Sequence, residues 1–275
     1  MPARPPDTGG APHATYVLGS GPSLLRLTES EKRFLGNEPF VFAMNKYLLY
    51  WDKVGVHPSH YFLADTHTPA YLVLHRSARR ARELARPPLF CIHRTYAQFV
   101  NAGLGTKLGS LRDVARESWR TRTPLGFLNL PRVLFFDSSI HNDRPLEWAA
   151  SLAEPLYFYR GSLTVLLNLA TILNPGRPIY LLGVDMNTPV SFYEEEIARD
   201  PRLHDRYRAI GLREGVHPTV AAVSGIPGIL DRWDFVSRSC AAAGCTIYNT
   251  NPDSLLVEKG LCGFRALPAP GEETE

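Results

Sequence analysis

The stretch RGSLTVLLNLATILNPGRPIYLLGVD, residues 160–185, decides the fold class. Residues 162–173 are apolar at helical spacing and too long for a strand, which predicts a helix buried over most of its circumference. Asn174-Pro175-Gly176 is turn chemistry that stops it. Ile179-Tyr180-Leu181-Leu182-Gly183-Val184 is then a continuous apolar run of strand length, ending on Asp185. A strand apolar on both faces, entered from a buried helix, belongs to a parallel sheet covered on both sides.

The same rhythm recurs on either side. Residues 14–18, 40–44, 60–64, 89–92, 133–136, 156–159 and 246–249 read as strands. Residues 24–35, 47–54, 69–85 and 229–243 read as helices between them, and no internal repeat is visible. The expected fold is therefore α/β, a Rossmann-like parallel sheet with helices on both faces. Residues 187–224 break the rhythm. They are polar, with Glu194-Glu195-Glu196, yet carry the aromatic anchors Phe192, Tyr193 and Tyr207. An insert of this size after a central strand reads as a lid. The domain layout is then 14–186 with 225–265 as a nucleotide-binding α/β domain and 187–224 as the lid. Residues 1–13 and 266–275, rich in Pro and Gly or acidic, are expected to be disordered.

Composition excludes several classes. With 275 residues, 44% hydrophobic and 21% charged, the chain is an ordinary globular one. A formal charge of +3 on 30 basic and 27 acidic side chains argues against nucleic acid as a partner. No apolar run approaches the roughly 20 residues of a membrane span, and residues 1–7 lack the apolar core of a secretory signal. The expected location is cytoplasmic. Cys91, Cys240, Cys245 and Cys262 are too scattered for a disulfide framework, and Cys240-x4-Cys245 has the wrong spacing for a zinc knuckle, so no metal is expected. Arg76, Arg79, Arg80, Arg82 and Arg86 form a basic helix face, readable as solvated or as a membrane-surface patch.

In an open parallel sheet, ligands bind beyond the carboxyl ends of the strands. Gly19-Ser20-Gly21-Pro22-Ser23 gives a strand-to-helix turn whose backbone N–H groups suit a phosphate, or a tight turn with Ser23 as cap. It lacks the third glycine of a dinucleotide fingerprint and the Gly-Lys-Ser/Thr of a P-loop. Asn45 and Asp65 stand where they could bond a nucleotide or cap a helix. Arg160 could neutralise phosphate or carboxylate, with Ser162 and Thr164 adding hydroxyls. Asp185 and Asn187 follow the central strand, and His217, late in the lid, suits proton transfer near neutral pH.

Four of these stretches, ATYVLGSGPSL (14–24), FVFAMNKY (40–47), residues 160–185 and YNTNPDSLL (248–256), resemble in order the bacterial sialyltransferases of glycosyltransferase family 42. The framework is also similar to the wider group of motility-associated glycosyltransferases and archaeal hydroxymethylpterin pyrophosphokinases. There a Gly-x-Gly-Pro-Ser-Leu turn precedes a segment matched here by Gly55-Val56-His57-Pro58 leading to Asp65. The resemblance spans most of residues 14–257, except about 90–155. It implies a GT-A-variant fold and a CMP-activated keto sugar acid as donor, with no cofactor or metal. It also implies a glycan or glycolipid acceptor, work at the inner membrane face as a peripheral protein, and a homo-oligomer.

By the same resemblance, Gly19, Ser20, Gly21, Pro22 and Ser23 meet the nucleotide. Asn45, Asp65, Arg160, Ser162 and Thr164 line the donor site, Tyr193 assists the leaving phosphate and His217 is the general base. Departures stand at Asn187, where the family has a second phosphate tyrosine, at Leu163 for a serine, and at Asp65 for an amide. These leave sialic acid and Kdo equally open as the sugar. The retaining CMP-Kdo transferases, similar in fold, would instead make Asp185 a covalent nucleophile. Two other classes remain: a magnesium-dependent pyrophosphokinase of the pterin type, using Asp65 and Asp185, and a non-catalytic nucleotide-binding module.

Overall fold

A computed structural model describes residues 13–65, 70–96, 130, 132–140, 146–203, 215–220, 222 and 225–268. Its strands are β1 (Thr15–Leu18), β2 (Val41–Met44), β3 (His60–Leu63), β4 (Leu89–His93) and β5 (Val133–Phe136). They continue as β6 (Ser138–Ile140), β7 (Leu156–Phe158), β8 (Ile179–Leu182), β9 (Ile247–Asn249) and β10 (Gly263–Phe264). Eight of them form one sheet in the order β10-β9-β8-β1-β2-β3-β4-β5. Every pairing in it is parallel. Past Phe136 the chain changes partner, and β6 pairs in parallel with β7.

The helices are α1 (Glu29–Asn37), α2 (Trp51–Val54), α3 (Ala70–Ala81), α4 (Ser162–Leu173), α5 (Glu194–Arg199), α6 (Trp233–Ala242) and α7 (Leu255–Glu258). Successive strand residues point to opposite faces, so continuous apolar strands build two cores. Tyr16, Leu18, Val41, Ala43, Tyr61 and Tyr180 join α1, α2 and α3 on one face. Val17, Phe42, Phe62, Leu181 and Ile247 join α4 and α6 on the other. Handedness explains the split. From β1 to β5 the chain steps one way across the sheet, and from β8 to β10 it steps the other way. Right-handed crossovers in opposite directions place their helices on opposite faces.

The strand at 133–136 and the helix at 162–173 have the expected bounds. The helix expected over 24–35 is instead a 3-10 turn (Pro22–Arg26) followed by α1. The break is local chemistry. Thr28 caps α1 in a capping box with Glu31, whose carboxylate accepts the Thr28 N–H at 2.7 Å. Residues 47–54 likewise divide into a 3-10 turn and α2, which stops at Gly55 with φ 81°. Residues 229–243 become a 3-10 turn (Ile229–Arg232) running into α6.

Of the expected lid, residues 187–203 pack onto the first core through Phe192, Tyr193, Ile197 and Leu203. Ion pairs secure the packing, Lys53 to Glu196 at 2.6 Å and Arg76 to Asp200 at 2.8 Å. Two arginines of the basic helix thus act between elements, since Arg80 also reaches Asp52 at 2.8 Å. Tyr207 lies outside the described residues, as do 1–12 and 269–275. The tail expected to be disordered from 266 is packed as far as Leu267, which is buried in the first core, and His13 bonds Glu38 at 3.2 Å. Among the described residues no helix is long and apolar enough to cross a membrane.

Candidate functional site

Strand order reverses between β1 and β8, so the turn after β1 and the loop after β8 meet at the carboxyl edge, where such sheets bind ligands. The meeting is close. Gly19 N donates to Leu182 O at 2.8 Å, Gly21 N to Gly183 O at 2.7 Å, and Ser23 N to Asp185 Oδ2 at 3.0 Å. Pro22 has no N–H. Three of the turn's backbone donors, those of Gly19, Gly21 and Ser23, are therefore engaged inside the protein. The glycines serve close approach. A Cβ at Gly19 would lie 2.4 Å from Gly183 O, and one at Gly21 would lie 2.3 Å from Asp185 Oδ2.

Asp185 closes this junction. Its Oδ1 accepts from Ser23 Oγ at 2.5 Å and from Asn251 Nδ2 at 2.8 Å, and the residue is only 4% exposed. The segment after β9 braces it further. Asn249 Nδ2 donates to Val184 O, and Leu255 N to Asp185 O, both at 2.9 Å. A carboxylate engaged by three donors is a latch between two loops, which the strand-tip position alone did not reveal. Beside it, a cavity of about 210 Å³ is lined by Ser23, Leu24, Leu182, Thr250, Asn251 and Leu267.

A second group gathers around β2, β7 and β8. Asn45 (φ 53°), Arg160 (φ 59°) and Met186 (φ 60°) are the non-glycine residues with left-handed backbone among those described. All three lie beyond strand carboxyl ends. Such conformations cost on the order of 1–3 kcal/mol each and persist where surroundings enforce them. The enforcement is visible: Asn45 N donates to Phe62 O at 3.0 Å, and Tyr61 Oη to Asn45 O at 2.6 Å.

The three are also tied to one another's neighbourhoods. Ser162 Oγ donates to Asn45 Oδ1 at 3.2 Å. Arg160 Nη2 donates to Pro218 O at 3.2 Å, and His217 N to Met186 O at 3.0 Å. Asn45, Arg160, Ser162 and His217, four residues proposed from sequence, thus fall in one bonded cluster on the carboxyl edge. Met186 and Thr219 complete it. Nothing in the sequence marks Met186, because a left-handed methionine has no compositional signature. Thr219, two residues from His217, follows from the turn geometry alone.

Other expected site residues are placed elsewhere. Thr164 is fully buried and braces the turn into α4, accepting from Tyr159 N at 2.9 Å. Tyr193 stacks on Tyr50 with centroids 5.2 Å apart, inside the first core. Asn187 donates to Asp253 O at 2.7 Å near the surface. Ser20 offers its carbonyl to Phe192 N at 2.9 Å, joining the first turn to the packed segment. Asp65 follows β3, and its carbonyl accepts the Tyr96 hydroxyl. Cys240 and Cys245 are buried in the second core, and among the described residues no group of three or more His, Cys, Asp or Glu is gathered to hold a metal ion. Comparison of the chain with protein-family models, with curated proteins and with solved structures finds no match.

Proposed function

We propose that this chain is a sialyltransferase-like glycosyltransferase with a GT-A-variant architecture. It moves a keto sugar acid, sialic acid, Kdo or a related sugar, from a CMP donor to a bacterial surface glycan. The supporting observation is the bonded cluster of Asn45, Arg160, Ser162 and His217, held by strained backbone at the carboxyl edge. Strain maintained by several hydrogen bonds in one place is better explained by a ligand site than by packing. Its side chains are hydrogen-bond donors and one cation, a set that suits an anionic donor.

The chemistry follows from the charge that develops. Departure of CMP from the anomeric carbon puts negative charge on phosphate, which neutral donors and a guanidinium can stabilise without a divalent ion. In this reading residues 187–224 are the lid, with 187–203 as its packed base. The burial of Asp185, held between two loops at 4% exposure, favours a single inverting displacement over a covalent adduct, because a nucleophile must reach the anomeric carbon. The chain would work at the cytoplasmic face on a glycolipid or glycan acceptor. Isothermal titration with CMP, then turnover of CMP-sialic acid and CMP-Kdo with the product anomer determined, tests the proposal. Binding and transfer support it, while no CMP binding at millimolar concentration overturns it. Magnesium-dependent ATP turnover would instead select the pyrophosphokinase reading. Normal CMP affinity without transfer would select a binding module.

A further inference from the structure

Consecutive residues of β3 hold both backbone polar groups of Asn45. Its N–H donates to Phe62 O at 3.0 Å, and its carbonyl accepts from Tyr61 Oη at 2.6 Å. The second bond is one link of a chain, because Ser77 Oγ, on α3, donates to Tyr61 Oη at 3.0 Å. The direction is fixed by the carbonyl, which can only accept. The Tyr61 proton therefore goes to Asn45, and Ser77 supplies the next one. Tyr61 and Ser77 are both fully buried, so water does not compete for either link. Burial also pushes the Tyr61 phenol above its usual range, against the opposing bond from Ser77, so the hydroxyl keeps its proton. Bonds in such a chain polarise and strengthen one another.

The backbone held in this way is left-handed, with φ 53° at Asn45. Glycine adopts that conformation without steric cost, so the backbone alone asks for no side chain here. The carboxamide has one hydrogen-bond partner among the described residues, Ser162 Oγ at 3.2 Å, and the residue is partly exposed. A hydroxyl satisfies either end of an amide, so an anionic oxygen selects the orientation that leaves the N–H groups for itself. We propose that Tyr61 and Ser77 are positioning residues, a buried relay that fixes the Asn45 backbone so that its carboxamide meets the anionic donor. This rests on reading the cluster as that donor's site. Tyr61 is itself out of a ligand's reach and acts through Asn45.

Two double-variant cycles test the relay, and the first needs no ligand. Asn45→Ala and Asn45→Gly both lack the carboxamide, but only alanine is strained at this φ. In urea the Gly variant should therefore unfold at the higher midpoint. Adding Tyr61→Phe to each should narrow the gap, because an alanine no longer tied to the phenol can relax. A gap equally wide with and without the hydroxyl overturns the relay. The second cycle reads CMP affinity by calorimetry. Tyr61→Phe should weaken CMP about tenfold, and Ser77→Ala, one link further away, about threefold. On the Asn45→Gly background, Tyr61→Phe should change affinity by no more than about twofold, because the group it positions is gone. An undiminished tenfold loss there would mean that the hydroxyl acts through packing, and it overturns the proposal. Unchanged affinity in Tyr61→Phe itself overturns it too. Ser77→Ala, which keeps the phenol, serves in both cycles if Tyr61→Phe does not fold. No CMP binding by the wild type overturns the functional reading, while the unfolding cycle still decides whether the relay holds Asn45.

Discussion

Removal of the Asp185 carboxylate is the perturbation that best separates structure from chemistry at this edge. Asp185→Ala deletes the acceptor of Ser23 N at 3.0 Å, Ser23 Oγ at 2.5 Å and Asn251 Nδ2 at 2.8 Å. Hydrogen bonds to a charged group contribute about 1.5–3 kcal/mol each, and orphaned buried donors keep their desolvation cost. The three share one carboxylate and do not add fully. A loss of about 4 kcal/mol is therefore expected, a large part of the stability of an ordinary domain. Ser23→Ala, which removes only the hydroxyl, should cost about 1–2 kcal/mol. Placed on top of Asp185→Ala, the same change should cost almost nothing, because its partner is already gone. Urea unfolding of the four proteins, read at constant m-value, gives the cycle. An Asp185→Ala protein within about 1 kcal/mol of wild type that had nonetheless lost all transfer would refute the latch and restore the nucleophile.

His60 lies between the rings of Phe40 and Phe42, with centroids 5.8 and 4.4 Å away, and burial, aided by the charge of Arg132, lowers its pKa to about 4. The unfolded imidazole, near 6.5, binds its proton first, so this contribution is complete above about pH 6.5 and is lost as pH falls towards 4. Unfolding midpoints between pH 7 and 4.5 should fall less steeply in His60→Leu than in wild type, and parallel slopes would refute this. Asp200 is held well below the usual carboxylate range, chiefly by its bond from Arg202 and also by Arg76, against the opposing effect of burial. Its contribution is present above about pH 3.9 and lost below it. Asp200→Asn should therefore loosen residues 187–203 at neutral pH, seen as faster limited proteolysis there, and unchanged cleavage would count against the clasp. Gly21→Ala should fail to accumulate as soluble protein, given a contact of 2.3 Å to Asp185. Gly36→Ala, in α1 with nothing within 4 Å, should gain about 0.5–1 kcal/mol in the same unfolding assay.

The sheet was legible because a strand buried on both faces is apolar at nearly every position, as IYLL is throughout and TYVL is after Thr15. Helices were harder wherever capping competed with periodicity. Thr28 and Glu31 end one helical reading and begin another within a run whose apolar spacing is continuous. Short edge elements such as Gly263–Phe264 carry almost no pattern, because two residues have no period. At the site, Asn45, Arg160 and Ser162 came from asking which polar residues follow strands, and His217 from its place late in the polar insert. That rule could not tell a ligand-facing carboxylate from a latched one. Asp185 depends on Ser23 and Asn251, residues 162 and 66 positions away, and such dependence is invisible in local sequence. The glycines of the first turn are ambiguous in sequence for a related reason, since close approach to another loop and close approach to a phosphate require the same residue.

The place of β1 at the middle of the sheet has a consequence for how the chain is made. One edge of TYVL is paired by Val41–Met44 soon after synthesis, but its other edge waits for Ile179–Leu182. At about 5–20 residues per second, the intervening chain of some 160 residues takes roughly 10–30 s to emerge. Throughout that interval the growing polypeptide carries a bare, apolar central strand as its temporary border. Such a border is a template for pairing with another nascent chain. Ribosome-bound or prematurely ended forms of this protein should therefore lean on chaperones until the eighth strand arrives to shut the seam.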